Sequence, residues 1–346
     1  MSDTPDANPF PPVRPEWLAR HVEPVIDPGY PIVDAHHHLF DWPIWRYRFE
    51  DYLEDLGSGH NVIATVFAEC GAMYKARGPV AMRPVGETEF VTGVAAMSES
   101  GGYGPTRVCA AIVGHADLTL GARVSEVLEA HIQAGGGRFR GIRHSSVYEP
   151  SAEVRCTMHL PPQRLMEDRA FREGFACLAP LGLSFDSWLY HTQLTELTAL
   201  ARAFPDTIIV LDHLSGVLGI GPYAGREDEV FAAWQRDLRE LAREPNVRLK
   251  IGGLGMHILR HGFHEREVPP SSQQLADAWR SSFEVCLEAF GAERCMFESN
   301  FPVDKTAYSY SVMWNAFKRL ATGASPAEKA ALFHETATRV YRLDLG

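Results

Sequence analysis

The chain has few cysteines and lacks a hydrophobic segment long enough to cross a membrane. Its 346 residues include six cysteines without a Cys-x-x-Cys pair, and most of them stand in apolar surroundings. This pattern is typical of buried free thiols and predicts a reducing, cytoplasmic location. No run approaches the roughly 18 apolar residues that a membrane helix needs, and the first residues lack the basic and apolar stretches of a signal peptide. We therefore expect no membrane association.

Basic residues are outnumbered by acidic ones. The chain has 33 Lys and Arg against 44 Asp and Glu, which gives a formal charge of -11 at pH 7. Nucleic acid is not an expected partner, because phosphate binding needs a basic stripe and the sequence has none. A small-molecule substrate is compatible with this charge, since it responds to the local field of a pocket. The sequence leaves the oligomeric state open, a homo-oligomer included.

The order of apolar segments predicts the fold. With 45% hydrophobic residues, the chain can bury a large core. Eight short apolar, β-branched runs alternate with segments of helical period, which is typical of a parallel sheet with crossover helices. The strands are predicted near 31–35, 61–68, 107–114, 138–143, 183–189, 207–212, 247–252 and 294–298, and the clearest helices at 120–134, 193–204, 227–244, 273–290 and 309–322. These units predict an α/β protein with a (β/α)8 TIM barrel.

The barrel accounts for most of the chain. We expect a Pro-rich arm over residues 1–29 and one barrel domain over residues 30–346, because no change in composition marks a second domain. Three segments after barrel strands are too long for simple turns and are expected to roof the site. They are residues 145–162, 214–225 and 253–271.

Polar side chains follow the predicted strands at the points where the strands end. Because the carboxyl ends of parallel strands meet at one rim of a barrel, this rim is the expected active site. A buried ionisable group without a partner costs several kcal/mol, so these side chains need partners or ligands there. They are His36, His38, Glu69, His115, Asp117, Arg143, His144, Trp188, His191, Asp212, His213, Lys250, Glu298 and Asn300.

The first strand ends in a histidine pair. His36 and His38 stand two residues apart in VDAHHHLFD, and alternation along a strand turns both imidazoles to one side while His37 faces the other. Two neutral imidazoles in this arrangement can share one divalent ion, with zinc or manganese as the expected metal. The alternative is a structural or surface cluster of histidines.

Five motifs carry a family resemblance. VDAHHHLFD, GIRH, VLDHLSG, KIGGLG and CMFESNFPVDK occur in this order at predicted strand ends. They resemble the amidohydrolase superfamily, in the branch of 2-pyrone-4,6-dicarboxylate lactonase and sugar lactonases. The resemblance implies a metal-dependent or carboxylate-assisted hydrolase that acts on a lactone or a related cyclic carbonyl compound. It implies that His36 and His38 are metal ligands and that His213 matches the histidine of the sixth strand.

The eighth strand departs from this resemblance. Asn300 stands where the family has the Asp of a Gly-Ser-Asp-Trp-Pro pattern, and an amide is neither a base nor a strong metal ligand. Glu298 replaces a small residue two positions earlier, and alternation predicts that it faces the same side. We expect that the carboxylate has moved from position 300 to position 298, as metal ligand or catalytic base. The alternative is a buried structural acid paired with Lys250 or Arg143.

Other rim residues have two interpretations each. Arg143 offers a rigid fork for a substrate carboxylate or carbonyl, or forms an internal ion pair. His191 is a proton donor for a leaving group, or it caps the helix that follows. Lys250 neutralises Glu298 or stabilises an oxyanion. Alternation predicts that Asp212 points away from His213 and orients a neighbour instead.

Aromatic residues at the mouth of the barrel complete the predicted site. Trp45, Tyr74 and Trp188 are expected to contact a ring-shaped substrate, although such side chains more often pack a loop onto the barrel. Two further functions remain open. One is a metal-dependent decarboxylase of an aromatic acid, because that reaction needs no hydroxide. The other is a barrel that binds a metabolite without turnover.

Overall fold

The predicted barrel is confirmed by the computed structural model, which describes residues 10–157 and 160–345. Eight parallel strands form one sheet in chain order. The strands are β1 (Pro31–His37), β2 (Asn61–Ala68), β3 (Arg107–Gly114), β4 (Phe139–Arg143), β5 (Ser184–Ser187), β6 (Ile209–Leu211), β7 (Val247–Ile251) and β8 (Cys295–Phe297). Most are short and buried on both faces, as expected where a sheet is enclosed by helices.

The sheet closes where β8 leads back to β1. A parallel bridge joins His37 to Phe301, and the Asn300 backbone N–H donates to the carbonyl oxygen of His36 at 2.9 Å. A small antiparallel hairpin, Phe40–Trp42 with Trp45–Tyr47, follows β1. The closure therefore places the residues that follow β8 beside the histidines of β1.

Helices surround the barrel. They are α1 (Pro15–Leu18), α2 (Phe49–Leu56), α3 (Val85–Glu99), α4 (Val124–Ala134), α5 (Arg169–Phe175), α6 (Leu194–Ala203), α7 (Glu227–Leu241), α8 (Ser272–Phe290), α9 (Tyr310–Leu320), α10 (Pro326–Ala330) and α11 (Thr336–Val340). Local sequence sets where they begin: Ser271 and Gln274 form a reciprocal capping box at the start of α8, with bonds of 3.3 and 2.9 Å.

Register irregularities occur in β1 where the barrel interior changes from apolar to polar. Val33 and Ala35 pack with residues of the neighbouring strands and with Tyr341 of the C-terminal segment. The irregularities lie between Ile32 and Val33 and between Asp34 and His37. An extra residue in one strand shifts which side chains face inward. The lower interior is therefore apolar and closed by the C-terminal segment, and the polar cluster begins above it.

The N-terminal residues that the structure describes lie along the barrel. Asn315 accepts the backbone N–H of Ile26 at 2.8 Å, and the Lys318 ammonium donates to the carbonyl of Ile26 at 2.8 Å. Trp17 Nε1 donates to the carbonyl of Arg266 at 3.0 Å in the segment 253–271. The division into an arm and a barrel domain stays a prediction, and residues 1–9 of that arm are outside the described residues.

Two further expectations concern cysteines and membranes. All six cysteines are free, and four of them are buried. Within the described ranges, no helix is long and apolar enough to cross a membrane. Of the predicted roofing segment 145–162, residues 158 and 159 are outside the described part of the chain.

A buried histidine on α4, His131, connects this helix to the barrel sheet. The His131 ring stacks on Phe139 with 4.9 Å between the ring centroids, and Nε2 donates to the carbonyl of His115 at 2.9 Å. The hydroxyl of Thr88 then donates to Nδ1 at 2.8 Å, because the neutral ring has one donor and one acceptor. Burial lowers the pKa of His131 to about 4 from an ordinary value of 6.5.

We expect His131 to make the protein sensitive to acid. Because the folded pKa is below the unfolded one, the unfolded chain binds a proton first as the pH falls, and stability is lost between about pH 6.5 and 4. The full effect is about 3 kcal/mol. His131→Gln should weaken the pH dependence of urea unfolding in this window. Equal slopes for His131→Gln and wild type would refute the assignment.

Candidate functional site

Seven ionisable side chains from five strand ends form one buried cluster at the carboxyl rim. None of them is more than 7% exposed. They are His36, His38, Arg143, Asp212, His213, Lys250 and Glu298. Such a concentration of charge in a protein interior requires partners inside the cluster or a ligand.

The two histidines of β1 face each other. His36 Nε2 lies 3.2 Å from His38 Nε2, as the alternation predicted. His38 Nδ1 lies 2.9 Å from the carbonyl oxygen of Ala68, which can only accept, so Nδ1 carries the proton and Nε2 keeps its lone pair. The ring of His213 approaches His36 with 4.6 Å between centroids. Three imidazoles therefore converge.

Glu298 lies between two of these rings. Its Oε1 accepts the backbone N–H of His213 at 3.1 Å and lies 2.7 Å from His213 Nδ1. Its Oε2 lies 3.2 Å from His36 Nδ1. Burial by itself raises the pKa of Glu298, but the adjacent His213 and His36 lower it to about 2. The carboxylate thus points into the barrel, and its roles as metal ligand or base stay predictions.

Lys250 has partners other than the expected one. Its ammonium donates to Asp186 Oδ2 at 2.6 Å and lies 3.1 Å from Asp212 Oδ1 and 3.2 Å from His36 Nδ1. Burial lowers the pKa of Lys250, but Asp186 and Asp212 raise it by more than burial lowers it. The ammonium therefore stays charged. The expectation that Lys250 neutralises Glu298 by direct pairing is wrong, because Asp186 on β5 lies closer to the ammonium.

Asp186 is a site residue that the sequence did not reveal. It also accepts the hydroxyl of Tyr341 at 2.6 Å, so the C-terminal segment supports the cluster from below. The available signal was an acidic residue inside an apolar strand run, LSFDSWL. Its partner Tyr341 lies 155 positions away in the chain, and no local pattern predicts such a pairing.

Arg143 forms an ion pair with Glu69. Its Nε donates to Glu69 Oε1 at 2.8 Å, and Nη2 donates to the carbonyl of Glu69. Nη1 faces the cluster, 3.3 Å from His36 Nε2 and 3.6 Å from Asp212 Oδ2. Burial lowers the pKa of Arg143, but Glu69 and Asp212 raise it more. The ion pair fixes the guanidinium at the edge of the histidine cluster, and substrate binding by Arg143 stays a prediction.

The prediction that Asp212 points away from His213 is wrong. β6 ends at Leu211, and His213 has a φ of 54°, so strand alternation no longer applies there. Asp212 reaches Lys250 and Arg143 while His213 reaches Glu298. Burial raises the pKa of Asp212, but Lys250 and His36 lower it well below its usual value.

Two glycines make room for this arrangement. A Cβ on Gly252 would lie 2.3 Å from Glu298 Cγ, and a Cβ on Gly253 would lie 2.6 Å from His213 Cβ. Gly253 also has a φ of 64°, which disfavours other residues. The KIGGLG motif is therefore required by the close approach of Glu298 and His213.

Asn300 is turned toward the following loop. Its φ is 54°, and its Nδ2 donates to Asp304 Oδ1 at 2.9 Å. Asp304 also accepts the backbone N–H of Gly255 at 2.9 Å and the hydroxyl of Tyr308. Burial raises the pKa of Asp304 to about 6. Asn300 thus links β8 to the segment 253–271, and its predicted catalytic role remains untested.

The remaining predicted residues lie around the cluster. The Trp188 ring is 4.9 Å from that of His213. His191 accepts the backbone N–H of Leu218 at 3.3 Å, and burial lowers its pKa to about 4. Trp45 packs on Phe40 in the hairpin, and Tyr74 is 37% exposed near Glu69. Their roles as proton donor and substrate contacts stay predictions.

The cluster has the donor set of a divalent metal site. The ligand atoms offered by His36, His213 and Glu298 lie within 4.8 Å of one another. Among the described residues, both oxygens of Asp212 and Oε2 of Glu298 are buried without a hydrogen bond. These oxygens do have charged neighbours, namely Lys250 and Arg143 for Asp212 and His36 for Glu298. Buried carboxylates beside converging imidazoles suit zinc or manganese. These residues therefore fit a metal ion.

Known proteins share this architecture. The sequence model of a family described as amidohydrolase matches residues 33–343. An uncharacterised protein of Sinorhizobium fredii is 33% identical over 327 residues, which cover 94% of this chain and 93% of that protein. An L-fucono-1,5-lactonase of Burkholderia multivorans is 29% identical over 323 residues, which cover 90% of this chain and 96% of the lactonase.

A solved structure adds a metal to the comparison. It is the crystal structure of an amidohydrolase from Burkholderia multivorans with bound zinc, and its sequence is 25% identical to this chain. It matches 91% of this chain and 100% of its own with a TM-score of 0.64. The barrel described above is thus the same fold as that of a protein that binds zinc.

Metal binding should stabilise the fold. We expect chelator-treated protein to take up one zinc or manganese ion, and a saturating concentration near 100 times the dissociation constant adds about 3 kcal/mol to the unfolding free energy. His36→Ala and His38→Ala should abolish the rise in Tm on adding metal. His264→Ala, in the segment 253–271, is the control and should retain it. A wild-type protein that binds no metal under these conditions would contradict the assignment.

Proposed function

The chain belongs to the amidohydrolase family, and we propose that it hydrolyses a lactone or a related cyclic carbonyl compound with the help of one divalent metal ion. The observation that carries this proposal is the convergence of His36, His38 and His213 in a cluster of buried carboxylates. The likeness to an L-fucono-1,5-lactonase over 90% of the chain supports the class of substrate.

The metal ion is proposed to be held by the Nε2 atoms of His36, His38 and His213. A divalent ion supplies Lewis acidity toward an ester carbonyl. Zinc is the first choice, because it is bound in the solved relative from Burkholderia multivorans and imidazole suits it. Manganese is the second.

Arg143 is proposed to bind the carbonyl oxygen or a carboxylate of the substrate. Its guanidinium is held in place by Glu69 at 2.8 Å, so little side-chain freedom is lost when a substrate binds. Nη1 faces the histidine cluster, 3.3 Å from His36 Nε2. A fixed guanidinium beside the reacting carbonyl stabilises negative charge on that oxygen as it develops.

The other predicted residues are assigned around this centre. Trp188, beside His213, forms one wall of the substrate site, and Trp45 and Tyr74 contact the substrate ring from the rim. His191 is the proposed proton donor to the leaving alcohol, a role that requires bound substrate to raise its low pKa so that the ring is protonated. Asn300 is proposed to present its Oδ1 to the substrate, because its amide nitrogen donates to Asp304.

Lys250 is proposed to hold charge rather than to bind substrate. It is fully buried and pairs with Asp186 at 2.6 Å beneath the histidines. This position fixes His36 and Asp212 from below and lets the cluster keep several carboxylates ionised. An oxyanion role would require the ammonium to leave Asp186.

The location of the protein is proposed from its cysteines. Six free cysteines agree with a reducing, cytoplasmic location. The partner is a small molecule, and a homo-oligomer is compatible with the chain.

Arg143→Lys should lower kcat/KM on the best lactone of a panel by about 30-fold, which is about 2 kcal/mol of transition-state stabilisation. Lysine lacks the fork that Glu69 holds, so its ammonium cannot be aimed at the carbonyl in the same way. Arg140→Lys is the matched control, because Arg140 lies on the same strand and binds the carbonyl of Tyr341 instead. Initial rates of acid release measure both, and an unchanged kcat/KM for Arg143→Lys would remove this residue from the mechanism.

A decarboxylase is the second candidate. The observation that favours it is Asn300, because an amide in place of the family's carboxylate removes a base that hydrolysis uses. Carbon dioxide release from a panel of hydroxybenzoic acids tests it directly. Release of carbon dioxide without hydrolysis of any lactone would replace the lactonase proposal, and binding without either reaction would favour a barrel that only binds a metabolite.

A further inference from the structure

One carboxylate contacts the inner nitrogen atoms of two histidines. Oε1 of Glu298 lies 2.7 Å from His213 Nδ1, and Oε2 lies 3.2 Å from His36 Nδ1. We infer that Glu298 is a positioning residue that holds the Nδ1 protons of His36 and His213, so that both rings present Nε2 to the metal, and that it is not itself a ligand. The inference rests on the proposed metal centre.

The geometry at His213 gives the first step. The same oxygen of Glu298 accepts the backbone N–H of His213 at 3.1 Å, so backbone and ring are both anchored to it. A carboxylate can only accept, which places the ring proton on Nδ1. The lone pair of His213 is then on Nε2. A histidine that donates its second nitrogen to a carboxylate is a stronger and better oriented ligand.

The second step concerns the proton of His36. Its Nδ1 lies 3.2 Å from the Lys250 ammonium, 3.2 Å from Glu298 Oε2 and 3.6 Å from Asp212 Oδ1, so Glu298 is the nearer acceptor. While Nε2 donates to His38, Nδ1 accepts from Lys250. When Nε2 is a ligand, the single proton of the neutral ring moves to Nδ1 and needs an acceptor. Glu298 Oε2 is buried and has no hydrogen bond among the described residues, so it is available for this proton.

The position of His38 limits which nitrogen of His36 can bind the same ion as His38. Its Nδ1 is committed to the carbonyl of Ala68 at 2.9 Å, and only Nε2 faces His36. The competing arrangement would put the ion on the Nδ1 side, with Glu298 as a ligand and without His38. The Lys250 ammonium lies on that side, 3.2 Å from His36 Nδ1, and like charges repel at this distance. The Arg143 guanidinium lies 3.3 Å from His36 Nε2, so repulsion between cations does not choose between the two sides. The Nδ1 atoms of His38 and His213 are both committed to oxygen acceptors, and this favours the Nε2 side.

Metal affinity of chelator-treated protein distinguishes the two arrangements. We expect Glu298→Gln to bind one zinc ion with an affinity reduced by about 10- to 100-fold, as for other orienting partners of metal-bound histidines. His38→Ala should lose more affinity than Glu298→Gln. Glu87→Gln is the matched control, a buried carboxylate that binds the backbone N–H groups of Cys70 and Ala72, and should bind as wild type does. If Glu298→Gln loses more affinity than His38→Ala, the inference is wrong.

Nitrogen NMR of histidine side chains tests the inference in the wild-type protein. This test does not depend on whether a variant folds. With zinc bound, we expect protons on Nδ1 of His36, His38 and His213. In Glu298→Gln the signals of His36 and His213 should change while that of His38 does not. A zinc-bound wild type with a proton on Nε2 of His36 would overturn the inference. Neither measurement involves turnover, so failure of the lactonase proposal would leave both results interpretable.

Discussion

The structure depends on balancing charge in the upper half of the barrel. Four carboxylates, those of Glu69, Asp186, Asp212 and Glu298, contact two cations and the histidines there. Lys250 and Arg143 supply the cations. If all six groups are ionised, the formal charge is minus two, which matches one divalent cation. Unpaired charge in a protein interior is costly, and the divalent cation proposed above would balance the charge of this cluster.

The barrel could be predicted from the sequence because each of its strands and helices has a local sequence pattern. Eight short apolar runs occur, most of them followed by a segment of helical period, and each pattern can be recognised from a few consecutive residues. It also predicted that His36 and His38 share a side. It could not predict that Val33 and Ala35, of the opposite parity, face the interior as well, because the irregularity in β1 between Asp34 and His37 has no sequence signature.

The partners within the site were less predictable, for a physical reason. The relative directions of Asp212 and His213 depend on the positive φ at His213. A histidine is not expected to adopt that backbone conformation, so the sequence could not predict it. The pairing of Lys250 with Asp186 depends on which of several nearby acids lies closest. That choice is made by barrel geometry and by Tyr341, which approaches from the C-terminal segment. Strand alternation gives the side of a residue but not its partner.

The exchange proposed at β8 can be compared with the contacts of Asn300 and Glu298. Asn300 is held by Asp304, which also anchors Gly255 at the start of the segment 253–271. Asn300 and Asp304 therefore connect the end of β8 to the segment 253–271. Glu298, one layer deeper, keeps a negative charge next to the histidines without occupying the rim. Under the inference made above, this carboxylate orients the imidazoles and strengthens them as ligands. The rim is thus left to a neutral amide and to the guanidinium of Arg143, an environment suited to a carbonyl or carboxylate ligand.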